Sequence, residues 1–516
     1  MLKDLFRFRD ERVKVLHFTT IAFFITFVTW FNMAPLATTM IESTGWLTKE
    51  TLAIFGIINV ALTVPARVVI GSLLDRFGPR IVFSALLVTM SIPTFVFAFG
   101  NDVAQLAISR LFMSCIGAGF VVGIRMVSEW FPPKQVGFAE GFYAGWGNFG
   151  SAFAAMTLPW IALSLIGGDM GWRLSVALTG LICLVYGFIY YAVVKDTPEG
   201  KVYARPRKSA AMEVSTWGDM LQLIAWTFPL VGVLGLLVWK LDNKSFLSGT
   251  WITALYVLLG LVFLYQLIRI LQVNVPILKK GVPEDDRYKF KNVAALNTTY
   301  FANFGAELAV VSMLPMFFQQ TYAMGPEKAG LIASSFAFVN LFARPLGGFL
   351  SDRLNSRKNV MLVYMLGITA GFFAMSFIGS AFPLVLAIGL TILTSMFVQG
   401  AEGATFAMIP NIKKRITGQI AGMTGAYGNV GAVTYLTILT FVSPNQFFMI
   451  LSAGALISLL CCWLMIEEPK NSFADEYEMS SVDREMMETE PVIQPAASPV
   501  STSAKASVVQ APLKFK

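Results

Sequence analysis

The sequence predicts an all-α membrane protein: two six-helix bundles related by a pseudo-twofold internal repeat, with an inserted two-helix hairpin between them. Three observations carry this expectation. Of 516 residues, 56% are hydrophobic and only 14% are charged, against about 25% charged in an ordinary soluble domain. Apolar runs of about 20 residues, long enough to cross a hydrocarbon core, recur from end to end. Residues of the first half also return at matching spacing in the second. A soluble enzyme and a disordered chain are both excluded. The single histidine, His17, removes His-based metal sites, triads and proton relays. Cys115, Cys183, Cys461 and Cys462 lie in apolar stretches without metal-ligand spacing, so they read as packing residues. No catalytic residue, metal or cofactor is expected.

Candidate spans lie at 15–40, 52–74, 81–99, 105–131, 138–165 and 172–195, then at 293–319, 329–350, 360–379, 383–409, 417–441 and 446–466. Two further apolar runs, about 221–239 and 250–271, are each long enough to cross about 30 Å at 1.5 Å per residue. The expected organisation is an N-terminal bundle (1–195), a cytoplasmic linker carrying the hairpin (196–292), a C-terminal bundle (293–467) and a tail (468–516). The net charge of +8 follows the positive-inside pattern and does not call for nucleic acid. Lys3, Arg7, Arg9, Arg12 and Lys14 place the amino terminus in the cytoplasm. With fourteen spans, Arg76, Arg80, Lys134, the Lys201–Lys208 cluster, Lys279–Lys291, Arg353, Arg357, Lys358 and Lys413–Arg415 fall on that side too, whereas Lys49, Lys240, Lys244 and Lys328 fall opposite. Twelve spans with the middle pair on the membrane surface preserve the pattern equally; a single inserted span breaks it. Both termini are then cytoplasmic in a multi-pass plasma-membrane protein. The tail, acidic and then rich in Ser, Pro, Ala and Val, reads as disordered, either solvated or offered to a regulatory partner.

The repeat is specific to position. Met33, Pro35 and Phe24 answer to Met313, Pro315 and Phe304. Arg67, Gly71, Asp75 and Arg76 answer to Arg344, Gly348, Asp352 and Arg353, and Gly117-Ala118-x-Phe120 answers to Gly403-Ala404-x-Phe406. In the fifth pair Gly137, Gly141 and Gly147-Asn148-x-Gly150 match Gly418, Gly422 and Gly428-Asn429-x-Gly431. Parallel repeats of this kind go with a central site and alternating access.

Arg67 and Arg344 each stand eight residues before the aspartate that ends their helix, about 12 Å inside the membrane. An arginine at that depth costs at least about 2.5 kcal/mol and cannot discard its proton. Two readings compete: a pair of buried salt bridges, or an anion site clamped from both halves by planar guanidinium forks. The acids weighed as counter-charges are Glu129, Glu307 and Glu402, and Glu129 is one turn from Arg125, which it neutralises. Asn148 and Asn429 interrupt glycine rows at one register; an amide in hydrocarbon needs a partner, either the anion or neighbouring backbone.

Gly71-Ser-Leu-Leu-Asp75-Arg76-Phe-Gly78-Pro-Arg80, echoed by Gly348-Phe-Leu-Ser-Asp352-Arg353-Leu-Asn-Ser-Arg357-Lys358, resembles the signature loop of the major facilitator superfamily. Ala144-Gly145-Trp146-Gly147-Asn148-Phe149-Gly150 and Gly425-Ala426-Tyr427-Gly428-Asn429-Val430-Gly431 resemble the two nitrate signatures of its nitrate/nitrite porter family, most closely the cyanobacterial permeases. The likeness covers the twelve core spans and neither hairpin nor tail. It implies the major facilitator fold, with nitrate held between Arg67 and Arg344, Phe120 and Phe406 against its faces, and Tyr300 and Asn148 hydrogen-bonding it. Asn429, Gly147 and Gly428 complete the expected binding set. Asp75, Arg76, Arg80, Asp352 and Arg353 would gate the cytoplasmic side by pairing across the helix corner.

Nitrate stays ionised, so its import against an inside-negative potential costs about 2.3 kcal/mol per 100 mV before any gradient. Coupling is required, by proton symport, which the resemblance favours, or by exchange for nitrite. Glu307 is the best placed proton carrier or, equally, a counter-charge to one arginine; Glu402 is a weaker candidate. Another small monoanion remains an alternative substrate. A sensor signalling through the tail is a competing class, disfavoured because the tail holds no folded output domain.

Overall fold

The computed structural model describes residues 5, 7–206, 211–243, 245–469 and 471–489. Lys3, Lys208, Lys244 and the tail beyond 489 lie outside them. The first half contains α1 (Glu11–Trp30), the short α2 (Ala37–Thr44), α3 (Lys49–Ala61), α4 (Thr63–Phe77), α5 (Pro79–Ala98), α6 (Val103–Met113), α7 (Gly119–Trp130), α8 (Pro133–Trp160) and α9 (Gly171–Val193). The middle segment forms α10 (Trp217–Asn243) and α11 (Gly249–Lys280). The second half runs through α12 (Phe290–Tyr322), α13 (Pro326–Phe338), α14 (Asn340–Arg353), α15 (Arg357–Met375), α16 (Leu384–Ile412), α17 (Thr417–Leu439) and α18 (Pro444–Met465), and α19 (Ser481–Thr489) follows in the tail.

Helix ends are set by local chemistry. Asp102 accepts from the Gln105 amide at 2.8 Å to start α6, and Ser443 with Gln446 forms a capping box at α18. Between α4 and α5 the chain turns at Gly78, whose φ is +87° and whose absent side chain leaves room for Asp196. Among the described residues thirteen helical stretches are long and apolar enough to cross a membrane. α17 is not one of them, because its glycines, threonines and Asn429 lower its hydropathy. Instead it is buried along most of its length between α4 and α12.

Two expected spans are broken. The run 52–74 divides at Leu62 into α3 and α4, and the run 329–350 divides at Val339 into α13 and α14, each break five residues before its arginine. At the first break the Leu62 amide turns to Ser114 Oγ (3.1 Å) and Thr63 Oγ1 donates to Ser114 O (2.6 Å), so the freed backbone keeps a partner. Pro65, which lacks an N–H, cannot bond back across the break. In the fourth span a 3-10 turn, Ser114–Ala118, separates α6 from α7, whereas its repeat mate α16 is continuous.

The halves meet along α4 with α17 and α8 with α14. A side chain on Gly418 would stand 2.7 Å from Gly71 O, and one on Gly137 would stand 2.7 Å from Gly348 O. The glycine rows are thus the seams where one half lies on the other's backbone. These seams lie toward the face that carries the basic loops and both described ends of the chain, here called the basic face.

The linker and tail do not hang free from that face. Glu213 pairs with Arg415 at 2.9 Å, and Arg415 also pairs with Asp286 at 2.6 Å. The expectation of a disordered tail from 468 is corrected for residues 471–489. Ser472 O accepts from Arg357 at 3.1 Å, Asp475 pairs with Lys134, and Asp483 pairs with Arg415 at 2.9 Å. Complementary charge explains the difference, since an acidic strand follows a basic surface. Outside the membrane, Lys289 and Lys291 hold the exposed Glu467 carboxylate down to about 2.

Candidate functional site

The two arginines sit where their broken helices resume, and both are buried, but they are held differently. Arg67 donates from Nε to Gly117 O at 3.2 Å and from Nη1 to Gly425 O across the seam, and its Nη2 has no partner. Its Cζ lies 5.6 Å from the Phe120 ring and 5.4 Å from the Phe304 ring. Among the described residues no carboxylate pairs with it. Arg344 is instead clamped by two acids through Nη2: Glu307 at 3.0 Å and Glu402 closer still. Glu307 also accepts from Asn340 Nδ2 at 2.5 Å. The Arg344 Cζ lies 5.8 Å from Phe304, so this one ring faces both guanidiniums.

Aromatic rings line the space between them. Tyr300 stacks on Phe304 (5.0 Å, 4°) and lies parallel to Phe120 at 6.1 Å, and Phe406 sits edge-on to Phe120 at 4.5 Å and to Tyr300 at 4.8 Å. Tyr300 is within electrostatic reach of both arginines. Several residues of the expected binding set carry unpartnered polar atoms. Arg67 Nη2, Arg344 Nε, Asn148 Nδ2 and both side-chain polar atoms of Asn429 are buried without a hydrogen bond. Such atoms are costly unless a ligand or water completes them. The backbone partner considered for Asn429 is not found.

The glycines have a supporting part. Gly147 stands where a side chain would enter the Phe23 ring, and Gly428 where one would stand 2.6 Å from Tyr300. They seat rings against α8 and α17, while Gly141 and Gly422 let those helices approach Arg344 O and Arg67 O.

Of the five gating candidates, the structure brings two to the interface. Asp75 accepts from the Gly418 and Gln419 amides at 2.9 and 2.8 Å, and Asp352 accepts from the Gly137 and Phe138 amides at 3.2 and 2.7 Å. Asp75 meets the first turn of α17, where the helix dipole favours a negative charge, and Asp352 meets amides in the second turn of α8, so each aspartate bonds to a helix of the opposite half. Arg125 lies 3.7 Å from Asp75 and 3.1 Å from Glu129; Arg357 lies 3.0 Å from Asp352. The other three do not bridge the halves. Arg76 and Arg353 are exposed and lie over Phe77 and Phe349 of their own helices, and Arg80 donates to Tyr191 O at 2.8 Å. Pairing across the helix corner is found between Asp352 and Arg357, at the end of α14 and the start of α15, whereas Arg76, Arg80 and Arg353 take no part in it.

Sequence reasoning missed three residues. Phe304 was matched to Phe24 by the repeat but not assigned to the site. Asn340, which fixes Glu307, left no signal. Glu140 is an acid inside α8 that belongs with the other membrane carboxylates; its neighbours are described below.

Paired bundles, broken helices and a central charged site define a secondary transporter, and the comparisons agree. The family model for the Major Facilitator Superfamily matches residues 19–282 and 296–511, and the chain belongs to that superfamily. The proton:xylose symporter XylE shares the fold, with a TM-score of 0.56 at 16% identity over 90% of this chain and 98% of that one. Within the superfamily the chain belongs to the family of the cyanobacterial nitrate/nitrite transporters. It is 44% identical to nitrate/nitrite transporter NrtP of Picosynechococcus sp. over 96% of this chain and 100% of that one, and 46% identical to NrtP of Nostoc punctiforme over 93% and 97%. These relatives are transporters, and the chain is not an enzyme.

Proposed function

We propose that this protein imports nitrate, and nitrite as a second substrate, across the plasma membrane by proton-coupled alternating access. The basic face is taken as cytoplasmic, and α10 and α11 as a hairpin crossing the bilayer. The names of the relatives support the substrate. The observation that carries the mechanism is the difference between the arginines. Arg67 offers an open Nη2 and no counter-charge; Arg344 is covered by Glu307 and Glu402.

Charge counting then links anion to proton. Two arginines and two carboxylates sum to zero, so nitrate alone leaves the buried site at minus one. One proton on either carboxylate restores neutrality, loosens the clamp on Arg344 and frees its fork to meet an anion already held by Arg67. Phe120, Phe304 and Phe406 wall the site and suit a small planar monoanion, and Asn148, Asn429 and Tyr300 supply hydrogen bonds around its oxygens. Carrying a proton with the anion cancels the charge moved, which removes the cost of about 2.3 kcal/mol per 100 mV. After closure outside, separation of Asp75 from α17 and Asp352 from α8 opens the cytoplasmic side. Purified protein in liposomes tests this reading. Labelled nitrate should accumulate when the outside is acidified with no anion inside; uptake that requires internal nitrite would replace symport with exchange.

A further inference from the structure

Glu140 stands apart from the central site. It lies on α8, two to three residues beyond the Gly137 and Phe138 amides that donate to Asp352, is 1% exposed, and neither carboxylate oxygen has a hydrogen-bond partner. Its repeat position on α17 is Ala421, so the fold does not require an acid there. Charged and titratable groups face it from several sides. They are Asp352 of α14, Arg357 at the start of α15, Lys414 in the turn before α17, Tyr477 of the tail, and Tyr143 one turn on along α8. None bonds to it: Arg357 is committed to Asp352, Pro133 O and Ser472 O, and Lys414 to Ser128 O and Glu129. Burial brings Lys414 down to about 7 against the pull of Glu129, so it is a weak counter-charge. Tyr477 closes the cluster from the tail, its ring 4.1 Å from Lys414 Nζ and its hydroxyl unpartnered. His17 of α1 packs on Phe142, on the other flank of α8.

We infer that Glu140 is the proton switch of the cytoplasmic gate: it takes up a proton when α8 seals against α14 and gives it to cytoplasmic water when they part. A carboxylate sealed without hydrogen bonds is tolerated only in its neutral form, whereas the same group on an opened, hydrated helix end is stable ionised. Closing therefore consumes one cytoplasmic proton and opening returns it. The balance is zero over a cycle, so Glu140 sets how the gate answers internal pH and does not drive transport. This rests on the reading of the basic face as cytoplasmic and is independent of where the transported proton binds.

The test places spin labels at Arg76→Cys and Arg353→Cys, both exposed and on opposite halves, in full-length protein whose four native cysteines are replaced. Between pH 6 and 9 the otherwise native protein should shift at least half its population to the longer, gate-open distance. Glu140→Gln, and as a second variant Glu140→Met, should keep the distance distribution that the parent shows at pH 6 throughout, while Lys414→Arg should still shift. Nitrate counterflow by Glu140→Gln at equal pH certifies folding. A shift in both Glu140 variants matching the parent, or its loss in Lys414→Arg, overturns the assignment to Glu140. Absence of counterflow in the parent protein itself would instead count against the nitrate reading.

Discussion

Arg67 and Arg344 occupy one register in two repeated halves, yet their surroundings diverge. The first is held by carbonyl oxygens and ring faces and keeps a free donor; the second is neutralised by two carboxylates. The repeat supplied two equal cations, and the second half alone added acids, at Glu307 and Glu402. A symmetric pair would bind an anion without reference to protons. The asymmetric pair makes one arginine a standing receptor and the other conditional on proton entry.

The sharpest way to break that comparison is to remove one fork while keeping the charge. Arg67→Lys should weaken nitrate affinity about 100-fold, since two charge-assisted hydrogen bonds at about 1.5 kcal/mol each are lost or misdirected. Labelled-nitrate binding to purified protein checks this, and near-normal affinity would refute the clamp. Arg344→Lys should cost less in binding and more in coupling. Next in size, Glu307→Gln and Glu402→Gln should each abolish or strongly reduce uptake driven by external acid while retaining nitrate counterflow. Intact pH-driven uptake in both would show that neither carries the proton.

Smaller effects belong to the gate. Asp75→Asn and Asp352→Asn each weaken a pair of cross-half carboxylate–amide hydrogen bonds, worth about 1 kcal/mol. The gate-open population should rise about fivefold, as read by cysteine labelling near Gly418 or Gly137. Gly418→Ala should act in the same direction through the backbone of Gly71, at about 1–3 kcal/mol. Smallest of all, removing residues 471–489 breaks the contacts of Asp475 with Lys134 and of Ser472 with Arg357. It should raise the turnover rate by about twofold without changing nitrate affinity, since those contacts touch no central residue.

Much of this arrangement was legible in the sequence, for identifiable reasons. Arg67, Arg344, Phe120 and Phe406 stood out because the repeat doubled them in a chain poor in charge, and the family resemblance added Tyr300. The partners of Arg344 were not legible. Whether Glu307, Glu402 or neither faces it depends on the rotation of α12 and α16 about their axes, which hydropathy does not report when helices are buried on most sides. The breaks at Leu62 and Val339 were hidden for a similar reason: their freed backbone is satisfied by another helix, so no polar turn marks them. Glu140 escaped notice because a lone acid among glycines leaves no pattern, and the docking of residues 471–489 depends on a basic surface assembled from distant loops.

Proton uptake on nitrate binding tests the conditional role of Arg344 most directly. Nitrate added to purified protein in weak buffer, with a pH indicator, should remove about one proton from solution per anion bound. The Glu307→Gln/Glu402→Gln double variant should bind nitrate with no proton uptake. Tight nitrate binding by the unmodified protein without proton uptake would contradict the charge-balance mechanism.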